Sequence, residues 1–547
     1  MRKIFRSIVG ILLASTMIAT VSACNPQRGV IRDGKTVNVK VYKGGYGTTW
    51  LYQLKEKFEN VYKDEGYKIN ILTPDNSLEG NAVLSEMRVG YDKTGVDLYF
   101  TQNVSVANVT DAEYGICAEE ITDMYADPAI SFDGTEEEKP IGEKLSSFFD
   151  DMVKAPGEDK YYGYVWANSP CGLVINTKVL DTYGLEIPVT TDELFECYDA
   201  IYNGNGTIGG SSSTKVYPFA WGGNNSYGYA LYALYPYVAQ ILGQEEFDKF
   251  INMQEGEEPT DEDIEYGYRR YENEWLYSAV EILQKQYNTM TSVPGSINDT
   301  HDKAHYNVIT GKAAFTVDGD FFFNEVKANY STYLNDITFV NIPVNSALGV
   351  KLQLDGSGTD EARCDELLSF AIKLCDEGKT AEEIISEAGT KMGAVLTTEQ
   401  VLAIMDARSV YYEKASHTAY ITKDSPNADI AKLFLRMMSS DDFGALFNET
   451  SNASNPYAEV NEIASDYAFT NGVSAVVNRS GAWEVSNLHH GGLRQACNLH
   501  LFYPYGVDIV LSLVSSNPSI EEVEENVKTK TKEQWPKLMA MAGYNVQ

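Results

Sequence analysis

Two histidines four residues apart, His301 and His305, have the spacing with which one face of a helix can hold zinc. Aspartate follows the first histidine where zinc peptidases carry a glutamate base, and no third ligand is apparent. We therefore expect a surface helix here and no metal site. A second pair, His489-His490, lacks a partner cluster and is interpreted as the lining of a cleft.

Two other motifs have spacings associated with bound nucleotides or calcium. Gly204–Gly209 matches G-x-G-x-x-G, but it follows a predicted helix instead of the strand that a dinucleotide site requires. Asp355 and Glu366 end a loop of EF-hand length, although Asp360 stands where that loop normally has glycine. We predict no catalytic residue, no cofactor and no metal, and leave a structural calcium open.

Cys24 ends the sequence Val-Ser-Ala-Cys and has a thiol at a predicted processing site. Basic residues precede an apolar run from Ile8 to Thr20, which is typical of a secretory signal and too short for a permanent membrane span. A cysteine directly after small residues looks like a bacterial lipobox, in which the thiol receives a diacylglycerol. We predict a signal peptide at 1–23, lipidation of Cys24 and a linker over 24–36; an ordinary signal peptide is the alternative.

The chain is strongly acidic, with a formal net charge of −35 over 547 residues. This charge argues against binding to nucleic acid, and it disfavours direct adhesion to anionic lipid. Membrane attachment is therefore expected through the lipid anchor alone. Six cysteines after Cys24 are too few for a disulfide scaffold, and Cys364 and Cys375, which lie on one predicted helix, are expected to be buried small apolar residues.

Alternating element types predict an α/β protein with parallel sheets. A strand at Val37–Tyr42 is followed by a helix from Trp50, a strand at 68–72, a helix at 81–89 and a strand at 96–100. In such sheets ligands collect at the carboxyl ends of strands, where the Gly44–Thr49 and Thr101–Asn103 loops lie. Long helices are predicted around 228–251 and 266–286.

The chain resembles the family 1 extracellular solute-binding proteins of bacterial ABC importers, most of which bind carbohydrates. The likeness rests on the order and spacing of four stretches across most of the chain. These are Val37–Trp50, Tyr161–Val165 leading to Gly172–Asn176, Gly311–Phe315 through Gly319-Asp320-Phe321 to Asn324-Glu325, and Ala419–Lys423 before Asn427–Met438.

The resemblance implies a two-lobed periplasmic-binding-protein-like fold, in which crossing segments join the lobes and ligand stabilises their closure. The crossings are expected near 161–168, 337–343 and 452–457. Lobe 1 would then be 37–162 plus 340–453, and lobe 2 would be 163–339 plus 454–547. Residues 350–410 are longer than the family pattern and are interpreted as an insertion. Phe321-Phe322-Phe323 stands where many members have tryptophan.

A carbohydrate ligand needs aromatic rings for its apolar C–H face and polar groups for its hydroxyls. Aromatic residues also commonly pack in cores, and Trp50 could equally be the first core residue of its helix. The ligand-binding candidates are Tyr46, Trp50, Gln102, Asn103, Trp166, Asn168, Trp221, Asn224, Asp320, Phe321 and Trp483.

The sequence thus favours a lipid-anchored, monomeric protein on the extracellular face of the cytoplasmic membrane. It would capture a sugar or oligosaccharide between two lobes and deliver it to ABC transporter permease subunits. A surface-tethered glycoside hydrolase is an alternative, since 78 acidic residues cannot exclude a catalytic carboxylate pair. A third hypothesis is a peptide-binding component of an importer, or an adhesin.

Overall fold

The structure of the protein is a computed structural model, which describes residues 29–204, 215–224, 227–256, 258–458, 465–487, 492–497, 499–505 and 509–544. The strands are β1 (Thr36–Val41), β2 (Lys68–Ile71), β3 (Leu98–Phe100), β4 (Pro128–Ile130), β5 (Glu136–Pro140), β6 (Tyr164–Val165), β7 (Pro170–Asn176), β8 (Tyr217–Phe219), β9 (Ala313–Gly319), β10 (Ile337–Val340), β11 (Val410–Glu413), β12 (Thr418–Ile421) and β13 (Trp483–Val485).

Helices alternate with these strands over most of the chain. They are α1 (Thr49–Val61), α2 (Gly80–Val89), α3 (Tyr91–Thr94), α4 (Val106–Val109), α5 (Thr122–Ala126), α6 (Ser147–Val153), α7 (Thr177–Tyr183), α8 (Thr191–Asn203), α9 (Tyr227–Leu242), α10 (Gln244–Asn252), α11 (Asp261–Tyr266), α12 (Leu276–Gln286), α13 (His301–Ile309), α14 (Phe322–Tyr330), α15 (Ala347–Lys351), α16 (Glu361–Asp376), α17 (Ala381–Glu387), α18 (Thr398–Ser409), α19 (Ala428–Met438), α20 (Asp441–Ser451), α21 (Ala468–Val477), α22 (Gly492–Ala496), α23 (Ile509–Ser516) and α24 (Ile520–Met541).

The chain divides into two compact units. The first unit contains residues up to Asn168 and 416–460, and the second contains 169–415 and 461–547. The five-stranded sheet of the first unit has the order β2-β1-β3-β12-β6, with β1 parallel to β2 and to β3. The predicted β-α-β-α-β start is therefore confirmed, while β12 joins the sheet antiparallel to β3.

One face of α1 covers the first sheet. Its buried residues are Trp50, Leu51, Leu54 and Phe58, which recur at helical spacing opposite the alternating apolar residues of β1. Burial of this stripe ties the helix to the sheet, since burying each large apolar side chain contributes roughly 1.5–3 kcal/mol.

The second unit is organised around β7, which is buried along its whole length. This strand pairs antiparallel with β9, with β10 and with β11, and β8 runs parallel to β9. Gly172 makes the β10 pairing possible, because a Cβ atom there would lie 2.4 Å from the carbonyl oxygen of Val340. A central strand that is buried on both faces is typical of a sheet covered by helices on each side.

The division of the chain differs from the sequence-based one most over 340–415, and 163–168 and 454–460 also belong to the first unit although they were predicted in lobe 2. Residues 340–415 belong to the second unit, whereas the sequence placed them in lobe 1. The predicted crossing at 337–343 lies within the second unit, because β10 pairs with β7. The chain returns to the first unit between Ala415 and Ser416, directly after β11 has also paired with β7.

Helices α15–α18 form a hydrophobic cluster of their own within the second unit. Leu348, Leu368, Ile384 and Ile404 are among its buried residues, and Ile241 at the end of α9 packs with them. The cluster falls in the interval predicted as a helix-rich insertion, and its origin as an insertion stays a prediction.

The structure also tests the predictions for the helix over 228–251 and for the cysteines. The predicted helix over 228–251 is broken into α9 and α10 at Gly243, whose φ of +80° is left-handed. None of the six described cysteines forms a disulfide, and Cys364 is buried as predicted, whereas Cys375 is only partly buried. None of the described helices combines the length and apolar character needed to cross a membrane.

A buried arginine closes the C-terminal end of α10. The guanidinium of Arg494 donates from Nε to the carbonyl of Ile251 at 2.6 Å and from Nη2 to that of Phe250 at 2.7 Å. Its Nη1 donates to the carbonyl of His500 at 3.1 Å. Positive charge is favourable at a helix C-terminus, and the two bonds to Ile251 and Phe250 hold α22 against α10.

Replacing Arg494 by methionine should lower the free energy of unfolding by about 3 kcal/mol, since buried carbonyls lose their donor. Urea denaturation of Arg494→Met measures this loss. Arg269→Met is the matched control, because Arg269 lies on the exposed surface over the ring of Tyr266. Equal stability of both variants would show that the Arg494 bonds do not hold these helices.

Candidate functional site

Two of the candidate tryptophans, Trp50 and Trp166, lie in the first unit and form a stacked pair in its core. The rings of Trp50 and Trp166 lie 5.5 Å apart with an interplanar angle of 22°, and both side chains have no exposed surface. Phe100 and Phe447 pack edge-on against Trp50. Neither tryptophan is accessible to a ligand in this structure. Trp50 is therefore a core residue of its helix, as the alternative stated, and Trp166 is a core residue as well.

Tyr46 and Asn168 lie at the edge of this core. The hydroxyl of Tyr46 donates to the backbone carbonyl of Asn168 at 2.8 Å, and its ring packs against His417 with centroids 5.1 Å apart. The side-chain amide of Asn168 donates to Ser454 Oγ at 3.0 Å. Its Oδ1 atom is buried and accepts no hydrogen bond from any residue that the structure describes.

Gln102 and Asn103 follow β3, as predicted, but they differ in their surroundings. Gln102 is buried, and its Nε2 lies 3.4 Å from Nε2 of His417. Asn103 is exposed, adopts a left-handed φ of +57° and donates to Glu79 at 2.7 Å. Gln102 thus belongs to the buried group around His417, whereas Asn103 shapes the turn after the strand.

The second unit contains a small cavity of about 10 Å³ with aromatic walls, which is space for one water-sized group. Trp221 follows β8 and packs edge-on against Tyr287, with ring centroids 5.3 Å apart. Its indole nitrogen donates to Ser292 Oγ at 3.2 Å. The cavity is lined by Phe219, Trp221, Gly222, Tyr229, Tyr287, His301, Ala304, Thr316, Val317 and Asp318.

The glycines after Trp221 bring its loop close to the segment before α13. A Cβ atom on Gly223 would lie 2.3 Å from the carbonyl oxygen of Ile297, and one on Gly222 would lie 2.7 Å from the backbone nitrogen of His301. The absence of side chains at these two glycines therefore permits a close approach of the two backbone segments. This approach brings His301 to the cavity that Trp221 also lines.

Asp318 belongs to a buried group of charges beneath the cavity. Nε2 of His305 donates to Asp318 Oδ2 at 2.5 Å, and Nδ1 of the same ring lies 3.7 Å from Glu325. Burial lowers the pKa of His305, but Asp318, through its charge and its hydrogen bond, together with Glu325 and Asp302 outweighs burial, so that the pKa is raised. His305 is 2% exposed, so the expectation of a surface helix was wrong for this residue.

The other candidates of the second unit do not line the cavity. Asn224 is exposed, and its backbone N–H donates to the carbonyl of Asp299 at 3.1 Å. Asp320 is buried at the end of β9, and Phe321 packs beneath the ammonium of Lys414 at 4.5 Å. Trp483 lies in β13 and donates to the carbonyl of Asp406 at 3.3 Å. Their roles as ligand contacts stay predictions.

The calcium loop considered from the sequence has another explanation. The Asp355 carboxylate accepts backbone N–H groups of Ser357, Gly358 and Asp360, so its oxygens close its own loop. Asp360 caps α16 by accepting from Arg363 N. Within the described residues, no group of three or more histidine, cysteine and acidic side chains could hold a metal ion.

Several predicted features lie outside the described residues. They are the signal peptide, Cys24, the start of the linker, the glycine-rich stretch at 205–209 and the pair His489-His490.

Sequence reasoning missed Tyr229, Tyr287 and His417. Tyr229 lies in α9 and Tyr287 directly follows α12, and nothing in the local sequence separates a tyrosine of a cavity wall from one in a core. His417 directly precedes β12, and its position at a strand start beside the predicted 161–168 segment was the available clue.

The contact between His305 and Asp318 should make stability depend on pH. Because the folded-state pKa of His305 is raised, the contact stabilises fully below about pH 6.5, and its contribution is lost as pH rises through the folded-state pKa. In His305→Asn this fall in the free energy of unfolding should be smaller, as measured by urea denaturation at about pH 6 and about pH 9.

His301→Asn is the matched control, because His301 lies one turn earlier on α13 and is far more exposed. It should retain the wild-type fall. A fall that is equally large in His305→Asn would assign the pH dependence to another group.

No protein-family model matches the chain, and no curated protein sequence matches it. Solved structures do resemble it. A chitin oligosaccharide binding protein has a TM-score of 0.55 at 11% identity, covering 92% of this chain and 100% of its own. A probable secreted solute-binding lipoprotein from Streptomyces coelicolor has a TM-score of 0.53 at 13% identity, with coverages of 91% and 99%.

The bacterial solute receptor AcbH, described as preferring β-D-galactopyranose exclusively, has a TM-score of 0.51 at 13% identity and coverages of 91% and 98%. At these identities the likeness concerns the fold. The α/β fold predicted from the sequence is confirmed, and the chain has the fold of bacterial solute-binding receptors.

Proposed function

We propose that this protein is a binding protein that captures a sugar or oligosaccharide and delivers it to a membrane permease of the ABC type. The observation that carries the proposal is the cavity of the second unit, where Trp221 and two tyrosines stand beside His301 and Asp318. Aromatic walls with a few polar groups match a sugar ring, which has an apolar face and a hydroxyl rim.

The size of the cavity decides how a sugar would use it. A space of about 10 Å³ admits one substituent and excludes a whole pyranose ring. We therefore place one ring substituent in the cavity and the rest of the ligand outside it.

The fold supports binding over catalysis. Similar structures include a chitin oligosaccharide binding protein and a receptor that prefers galactopyranose, both of them binding proteins. Transfer of a carbohydrate ligand and of a role in transport to this chain is part of the proposal. So are the monomeric state and the permease partner, which no contact in the structure addresses.

Lipid anchoring at Cys24 completes the proposal. One similar structure is a probable secreted solute-binding lipoprotein, and the small residues before Cys24 suit acylation of its thiol. Two acyl chains bind a membrane firmly where one is marginal, so a tethered protein would stay near its permease.

Replacing Trp221 by alanine should weaken carbohydrate binding about tenfold or more, since an aromatic wall that contacts ligand contributes strongly. A thermal-shift screen of mono- and oligosaccharides identifies a ligand through the rise in Tm, and calorimetry then compares the two proteins. Absence of any glycan binding, together with saturable peptide binding, would overturn the carbohydrate proposal.

Trp275→Ala is the matched control for this experiment. Trp275 lies in the same unit but packs against the α15–α18 cluster, away from the cavity lining. It should bind the ligand as the unmodified protein does, even though its Tm falls.

Changing Cys24 to alanine should release the protein from the membrane fraction into the medium or leave an uncleaved precursor without palmitate label. Fractionation of cells and metabolic labelling with palmitate measure both effects. Cys117→Ala is the control, because Cys117 is buried in the first unit and should leave the anchoring unchanged. Membrane-bound, palmitate-labelled Cys24→Ala protein would contradict the lipid-anchor proposal.

A further inference from the structure

The cavity beside Trp221 combines two features that suit a positive charge. Four aromatic residues line it, namely Phe219, Trp221, Tyr229 and Tyr287. Aromatic rings attract cations through their negative faces, and cages of such rings bind ammonium groups in many proteins. Asp318 adds a carboxylate to this lining and is itself 2% exposed.

Asp318 is the carboxylate of the cavity wall, and the charges beside it are mixed. Glu325 and Asp302 act on His305 as Asp318 does, but burial raises the pKa of Glu325 to about 7 and Asp302 is exposed. Lys414 lies above Phe321, and His301 lies in the cavity wall. Tyr229 lies near the same carboxylates. Burial raises the pKa of its phenol, and the charges of Asp318 and Glu325 raise it further.

Asp318 retains capacity to accept another hydrogen bond. Its Oδ2 accepts from His305, and its Oδ1 accepts from the backbone N–H of Gly319 at 2.8 Å. A carboxylate has about four lone-pair directions, so these two bonds leave room for a third donor.

The size of the cavity selects the type of cation. A primary ammonium group is about as large as a water molecule and fits a space of about 10 Å³. A trimethylammonium or acetamido group is several times larger and does not fit.

We propose that this cavity binds the primary amine of an amino sugar, with Asp318 accepting its hydrogen bond and the aromatic walls stabilising its charge. The proposal rests on the carbohydrate-binding function, because it specifies the class of sugar that the same site takes. It predicts that free hexosamine units bind more tightly than neutral or N-acetylated ones.

Three disaccharides with the same β-1,4 linkage test this inference by calorimetry. They carry an amine, a hydroxyl or an acetamido group at C2: the glucosamine dimer, cellobiose and N,N′-diacetylchitobiose. The amine should bind about tenfold more tightly than the hydroxyl analogue, and the acetamido analogue should bind most weakly. Raising the pH through the amine's own pKa should remove this preference while leaving cellobiose binding nearly unchanged.

Asp318→Asn has the same shape without the charge, and it should remove the preference for the amine. The pH series on the unmodified protein provides an independent test if this variant fails to fold. Equal binding of amine and hydroxyl analogues would overturn the inference and leave the carbohydrate function standing. Binding of no glycan at all would overturn the proposed function itself, and binding of lysine peptides alone would favour a peptide receptor.

Discussion

The pairing of β9 with β7 determines where the cavity residues of the second unit lie. Gly172 of β7 stands opposite Asp318 in this ladder, which holds the carboxylate at the end of β9. On the other edge β8 pairs with β9 through Phe219 and Phe315, so Trp221 emerges two residues beyond the same end of the sheet. Carboxyl ends of neighbouring parallel strands meet at one edge, which is where ligands collect in such folds.

Strand β7 also explains why 340–415 belong to the second unit, whereas the sequence-based division assigned them to lobe 1. Periodicity predicts that Ile337–Val340 is a strand, but it says nothing about which strand it pairs with. The decisive residue is Gly172, whose missing side chain admits β10 at van der Waals distance from β7. A long-range contact of this kind depends on the whole fold, whereas the β-α-β-α-β start is local and was predicted correctly.

The candidate site shows the same division between local and long-range information. Trp50, Trp166 and Trp221 all stand beside predicted loop ends, and local sequence does not separate them. Trp50 and Trp166 become a core pair because they stack on each other, whereas Trp221 lines a cavity with tyrosines contributed by distant helices. The spacing of His301 and His305 correctly predicts a helix, but only the fold shows that His305 forms a hydrogen bond with Asp318.

The six described cysteines are all free, and burial raises the pKa of each thiol. Buried, protonated thiols are poor nucleophiles. Folding of the described part of the chain therefore requires no oxidant, and the native state suits reducing as well as oxidising surroundings. In addition, a cysteine engineered into an exposed loop would react with maleimides faster than the five buried native thiols, so a fluorophore could be attached there in preference to those positions.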